Sequence, residues 1–276
     1  MCAAGLSPPA GDCPPLARLR TLCFQETVGS AKHASGQMHI YANPARFLKL
    51  ARPLTPWLGW GGAALIAAAL TVGLFVAPPD HLQGESVRIM YVHVPAAWLG
   101  MGGWTGIAIA SLMQLVWRHP LANVAARAIA VPGALFTALC LVTGSLWGRP
   151  TWGTYWEWDG RMTSMLVLLF LYIAYIALAE ADRERGGEGR ITAIFGLLGA
   201  INIPIIHYSV LWWNTLHQGQ SISFVRASST IDGSMLWPLL ASALGFSLLF
   251  GAIVLMRMRA ILARQKVEAR LRRLGA

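Results

Sequence analysis

Residues 147–161 read WGRPTWGTYWEWDGR, so that Trp147, Trp152, Trp156 and Trp158 share one short segment with Tyr155, Asp159 and Arg161. Large rigid rings stack at low conformational cost, and Gly148 and Gly153 let backbone come close to whatever is stacked. Such a surface suits a flat apolar ligand of porphyrin type. One or two tryptophans would only anchor a helix end at a membrane interface. Four, ending in Trp-Asp, exceed that need.

Two histidines stand at comparable positions elsewhere in the chain. His93 lies in VRIMYVHVPAAW, shortly before Pro95, and His217 lies in LWWNTLHQGQ, shortly after Trp213. Proline is favoured in the first turn of a helix, so His93 is expected just outside the start of one apolar segment. His217 is expected just beyond the end of another. Taken singly, each is equally compatible with a solvated interface residue. Together, from different helices and at the same depth, they suit axial coordination of a heme iron from opposite faces.

His207 is the rival within the same segment. Its place before Trp213 puts it about 9 Å deeper at 1.5 Å per residue, below the level of His93, and it is expected to be a hydrogen-bonded helix-packing residue near Asn202 and Pro204. His81 is a weaker rival. Heme propionates need cationic or hydrogen-bonding partners, for which Arg161 is best placed, with Arg88 and Arg226 behind it. Asp159 would not meet an anionic propionate. It is expected to fix the loop by hydrogen bonds or by pairing with an arginine.

What must position these residues is a membrane domain. The chain is 55% hydrophobic and 12% charged, against about 25% charged for an ordinary soluble domain. Six apolar stretches, at about 57–77, 96–117, 128–146, 162–181, 191–213 and 234–256, are near the roughly 20 residues that cross a bilayer as a helix. Every backbone polar group in lipid must be paired, and no alternating polarity supports a barrel, so the expected fold is all-α with six transmembrane helices.

Lys and Arg cluster before the first stretch, between the second and third, between the fourth and fifth, and after the sixth. Positive charge marks cytoplasmic segments, so both termini are expected to be cytoplasmic. Loops 78–95, 147–161 and 214–233 then face the opposite side. The formal net charge of +10 is accordingly a topology signal and implies membrane lipid, not nucleic acid, as its partner. The organisation expected is a lead-in at 38–56, a membrane domain at 57–256 and a basic tail at 257–276. That tail reads either as an amphipathic helix on the anionic leaflet or as a solvated stop-transfer segment. Residues 1–37, rich in Pro and Gly and lacking a signal-peptide core, read as a disordered or wrongly included extension, with translation starting at Met38.

The missing motifs exclude several functions. There is no phosphate loop for ATP hydrolysis, no H-E-x-x-H protease motif and no C-x-x-C-H for covalent heme attachment. Cys2, Cys13, Cys23 and Cys140 have no metal or redox spacing. The chain therefore reads as a handling protein and not as a conventional enzyme.

The tryptophan segment resembles the WWD signature of heme-handling proteins in cytochrome c maturation. With VHVPAAW around His93, WWNTLHQG around His217 and six spans, residues from about Met38 to the end of the sixth span resemble the heme exporter protein C family, CcmC, of the system I pathway. The resemblance implies that His93 and His217 are axial ligands of a transported, non-covalently bound heme b. It also implies that Trp147, Trp152, Trp156, Trp158 and Asp159 shape the platform, and that Arg161 touches a propionate. Its implied setting is the periplasmic face of a bacterial inner membrane, with the heme chaperone CcmE, the small protein CcmD and the transporter subunits CcmA and CcmB as partners. Two sibling WWD families fit less well, since the CcmF-type lyase is longer and the CcsA-type synthase has more spans. A membrane cytochrome b anchor would need histidine pairs at bilayer depth, where only His207 is expected.

Overall fold

The computed structural model describes residues 43–213, 215–217, 222–223 and 228–275. The lead extension with its three cysteines, the Met38 start and Arg226 lie outside the described residues. From Pro44 onward the chain forms one compact unit. Its helices are α1 (Pro44–Phe75), α2 (Met90–Trp117), α3 (Ala122–Trp152), α4 (Gly160–Glu184), α5 (Arg190–Gly199), α6 (Asn202–Trp212) and α7 (Gly233–Leu274). A short 3-10 turn, Glu85–Ile89, leads into α2. In the last long loop Ile222–Ser223 pairs antiparallel with Ser228–Ser229.

With α5 and α6 counted as one interrupted span, six helices are long and apolar enough to cross a membrane. The protein is thus a multi-pass, all-α membrane protein, as the apolar stretches predict. Large apolar side chains on the outside of the bundle, such as Leu135 at 65% and Phe170 at 59% exposure, are what lipid contact allows and water would not.

Helix ends differ from the expectation in ways that matter for the site. α1 begins at Pro44, well before position 57, because Pro at the first helical position has no N–H to leave unpaired. α2 begins at Met90, so His93 sits inside its first turns and not outside the helix. α3 continues past Leu146 to Trp152, and left-handed Gly153, at φ 80°, ends it. Trp147 and Trp152 are therefore helical residues, and the loop proper is only 153–159. The fifth span breaks at Ala200–Ile201. The basic tail is neither separate nor irregular: α7 runs unbroken for 42 residues, about 63 Å, twice a hydrocarbon core of roughly 30 Å.

Side-chain size sets the packing. α1 lies along α7, where Gly62 and Gly245 meet: a Cβ on Gly62 would stand 2.8 Å from the Leu249 nitrogen, so only small residues allow this approach. The central group is α2, α3 and α4, with α5, α6 and α7 around it. Trp104 is fully buried there, donating from Nε1 to the Gly196 carbonyl at 3.2 Å and meeting the Tyr172 ring edge-on at 4.9 Å. The Tyr172 hydroxyl donates to the Gly100 carbonyl at 2.7 Å. Asn202, at the break, donates to the Ser164 carbonyl at 2.9 Å. These buried polar groups find partners, as a medium without water demands, whereas the Tyr91 and Ser111 hydroxyls are buried with none among the described residues. At the Arg-rich end, Arg127 and Arg183 pair with Glu180, and Arg183 also with Glu268, tying α3, α4 and α7.

Candidate functional site

The opposite end of the bundle carries the tryptophans and both histidines. His93, on α2, packs against α3, with Nδ1 3.0 Å from the Thr143 hydroxyl oxygen. That hydroxyl donates its own proton to the Leu139 carbonyl at 2.7 Å. Toward His93 it can therefore only accept, which places the imidazole proton on Nδ1 and leaves the Nε2 lone pair available. Gly144 makes the approach possible, since a Cβ there would stand 2.9 Å from His93 Cε1. The Trp147 ring meets His93 edge-on at 5.6 Å and is held by a bond from its Nε1 to Gln83 Oε1 at 2.8 Å.

His217 reaches the same end from the loop after α6. Its Nδ1 pairs with Asp159 Oδ2, and its ring meets Trp152 at 4.6 Å. Asp159 does three jobs at once. Its Oδ1 accepts from the Met162 N–H at 2.7 Å, capping α4, while Oδ2 accepts from the Thr215 hydroxyl and from His217. Of the two supports expected of it, hydrogen bonds and not an arginine are what it makes among the described residues. The side chain is only 2% exposed.

Electrostatics keep this pair in a defined state. Burial alone would raise the Asp159 pKa, but the hydrogen bonds from Thr215 and Met162 and the neighbouring His217 outweigh it, and the carboxyl stays below its usual range. Burial pushes His217 below the ordinary histidine value, opposed by Asp159 and assisted by Arg161. The pair is consequently a neutral imidazole donating Nδ1–H to a carboxylate, not an ion pair. A carboxylate behind a histidine fixes its orientation and raises its basicity as a metal ligand. Both histidines thus present Nε2.

Arg161, in the first turn of α4, lies within electrostatic reach of Asp159, Cys140, His93 and His217. Its carbonyl accepts from the Ser164 hydroxyl, but its guanidinium makes no hydrogen bond or ion pair with the described residues. Of the two cations expected behind it, Arg88 pairs with Glu85 and donates to the Gly73 carbonyl at 3.0 Å, and Arg226 lies outside the described residues; Arg149 donates to the Gly153 carbonyl and lies over the Tyr155 ring. Trp156 and Trp158 stand edge-on at 5.3 Å. Trp158 is 73% exposed and Trp156 Nε1 is buried without a partner among the described residues.

The structure therefore gathers Trp147 with His93, and Trp152 and Asp159 with His217, while Trp156 and Trp158 pair with each other. His207 is not the buried packing residue expected of it: it is exposed on α6, its ring against Tyr208 at 4.8 Å. His81 is exposed as well. Sequence reasoning missed Thr143, Gly144, Gln83 and Thr215. A signal existed for the first, because Thr143 and Trp147 are four apart on one helix face, but it needs α3 to continue beyond Leu146. Among the described residues no three His, Cys, Asp or Glu side chains converge as they would around a bare metal ion.

Comparison with known proteins gives a consistent set of matches. The heme exporter protein C family, CcmC, matches residues 37–273. The chain is 51% identical over 231 residues to heme exporter protein C of Bradyrhizobium diazoefficiens, covering 83% of this chain and 86% of that one. It is 47% identical over 222 residues to the protein of that name from Escherichia coli, covering 80% and 89%. For the Paracoccus denitrificans protein of that name the identity is 38% over 234 residues, covering 84% and 96%.

Proposed function

The chain belongs to the heme exporter protein C family, and from that premise we propose that its tryptophan-lined end holds heme in transit for cytochrome c maturation. Heme b is bound there non-covalently, as cargo, with His93 Nε2 and His217 Nε2 as the two axial ligands. The observation that carries this reading is the shared hydrogen-bonding of the two imidazoles. Each has Nδ1 engaged by an acceptor, Thr143 in one case and Asp159 in the other, so each offers the same free nitrogen. A purely structural histidine has no need of that match.

The remaining residues take complementary roles. Trp147 and Trp152 steady the two imidazoles edge-on, and Trp156 and the exposed Trp158 supply apolar ring surface for the porphyrin. Arg161, uncommitted among the described residues, is the cation for a propionate. Asp159 touches His217 and not the cargo, and so acts as a positioning residue. Iron–imidazole bonds can hold heme without the covalent attachment that would prevent its release. Binding and release require no ATP site, and the sequence has no phosphate loop.

The functional face is periplasmic and the membrane is the bacterial inner membrane, a placement supported by the distribution of Lys and Arg. From there heme passes to the chaperone CcmE, with CcmD and the transporter subunits CcmA and CcmB completing the assembly. The test is transfer. Purified protein loaded with heme and mixed with CcmE should lose heme to the chaperone, and the His93→Ala and His217→Ala variants should load it poorly. Heme that cycles between redox states but never leaves would instead mark an electron carrier.

A further inference from the structure

At the Arg-rich end, α1 and α7 enclose a groove of about 570 Å³ lined by Leu48, Arg52, Met256, Arg259, Ala263 and Lys266, with Ala260. Met256, Arg259, Ala263 and Lys266 recur at three- and four-residue spacing, which puts them on one face of α7, and Leu48 and Arg52 share a face of α1 in the same way. The groove therefore holds three cations and no carboxylate. The nearby acids are used elsewhere: Glu268 pairs with Arg183 and Arg264, and Glu180 with Arg127 and Arg183. The side chains of Arg52 and Lys266 make no hydrogen bond or ion pair with the described residues. Arg259 has only a contact of 3.5 Å with the Thr55 hydroxyl.

We propose that this groove binds the phosphate of an anionic phospholipid. Three like charges around one cavity repel one another unless an anion neutralises them, and guanidinium groups match phosphate oxygens in geometry. The other half of the lining is apolar, formed by Leu48, Met256, Ala260 and Ala263, and it begins where the apolar run of α7 gives way to its Arg-rich extension. A soluble phosphate gains nothing from such a wall. A phospholipid gains contact for its glycerol and acyl region while its headgroup meets the cations. The bound lipid would brace the long extension of α7 against α1 at the membrane surface.

The test uses the full-length protein in phosphatidylcholine nanodiscs with and without phosphatidylglycerol, and native mass spectrometry to count lipids that survive mild delipidation. Phosphatidylglycerol should be retained in preference to phosphatidylcholine, and Arg52→Gln and Lys266→Gln should each lower that preference about fivefold. Lys266 is exposed and beyond the apolar run, so its variant changes charge without disturbing a span. Arg272→Gln removes the same charge outside the groove and should retain the preference. Inorganic phosphate should fail to displace the lipid. Equal retention of the two lipids, an equal loss in Arg272→Gln, or displacement by inorganic phosphate would each overturn the assignment.

Discussion

The two histidines at the tryptophan end reach the same place on different supports. His93 projects from a helix, seated over Gly144 and hydrogen-bonded to a hydroxyl on the neighbouring helix. His217 projects from a loop and is held by a carboxylate that also caps α4 and ties down Thr215. One support is steric and neutral, and the other is electrostatic. The first can move only if two packed helices move, whereas the second can open by the loss of a few hydrogen bonds between one loop and the start of α4. For a site proposed to hold cargo and then release it, that contrast assigns the anchoring to His93 and the yielding to His217.

The largest expected effect is loss of either ligand. His93→Ala and His217→Ala should each lower heme affinity by more than the roughly 10- to 100-fold cost of removing an outer-shell partner. His207→Ala should leave it unchanged, because that ring lies on the exposed face of α6. Heme titration followed by absorbance measures all three. Equal losses in all three variants would erase the distinction between the site and the bundle surface.

Asp159→Asn comes next, with an expected 10- to 100-fold fall in heme affinity at neutral pH, and its pH dependence sharpens the comparison. Burial lowers the pKa of His217 while Asp159 holds it up, so protons compete for Nε2 only below the ordinary histidine range. Removing the carboxylate charge should move the acid onset of heme loss to lower pH even as neutral affinity falls. The sign for folding follows from the same shifts. The depressed pKa values of Asp159 and His217 contribute stability that is complete near neutrality and disappears as pH falls through the folded values. A thermal melt of the heme-free protein should therefore weaken in acid.

How much of this was legible beforehand follows the same division. The six spans, the tryptophan segment and both histidines are local features, written in hydropathy and short motifs. The partners of the histidines are not. Thr143 is fifty positions from His93 and Asp159 fifty-eight from His217, separations that no periodicity encodes. The helix ends place His93 inside α2 instead of before it, because Pro95 stands beyond the first turn and Ser242 donates to the Tyr91 carbonyl that its missing N–H leaves open. His207 appeared buried because helical rise gives depth but not which face of the helix points at lipid.

Gly144→Ala separates packing from chemistry on the His93 side. Alanine in a helix is favoured over glycine by about 1 kcal/mol, yet its Cβ would stand 2.9 Å from His93 Cε1. Stability of the heme-free protein should hold or rise while heme affinity falls. Thr143→Val, which removes the acceptor at Nδ1 together with the hydroxyl's own bond to the Leu139 carbonyl, should cost less, about fivefold or about 1 kcal/mol, and should leave His217 unaffected.

The central claim is that both imidazoles ligate one heme iron through Nε2, and the absorption spectrum of the purified protein tests it most directly. The wild-type protein should carry a low-spin, bis-histidine heme spectrum, and His93→Ala and His217→Ala should each convert it to a weakened high-spin form or abolish it. A spectrum that neither substitution alters, or purified protein without heme under any condition, would contradict the account.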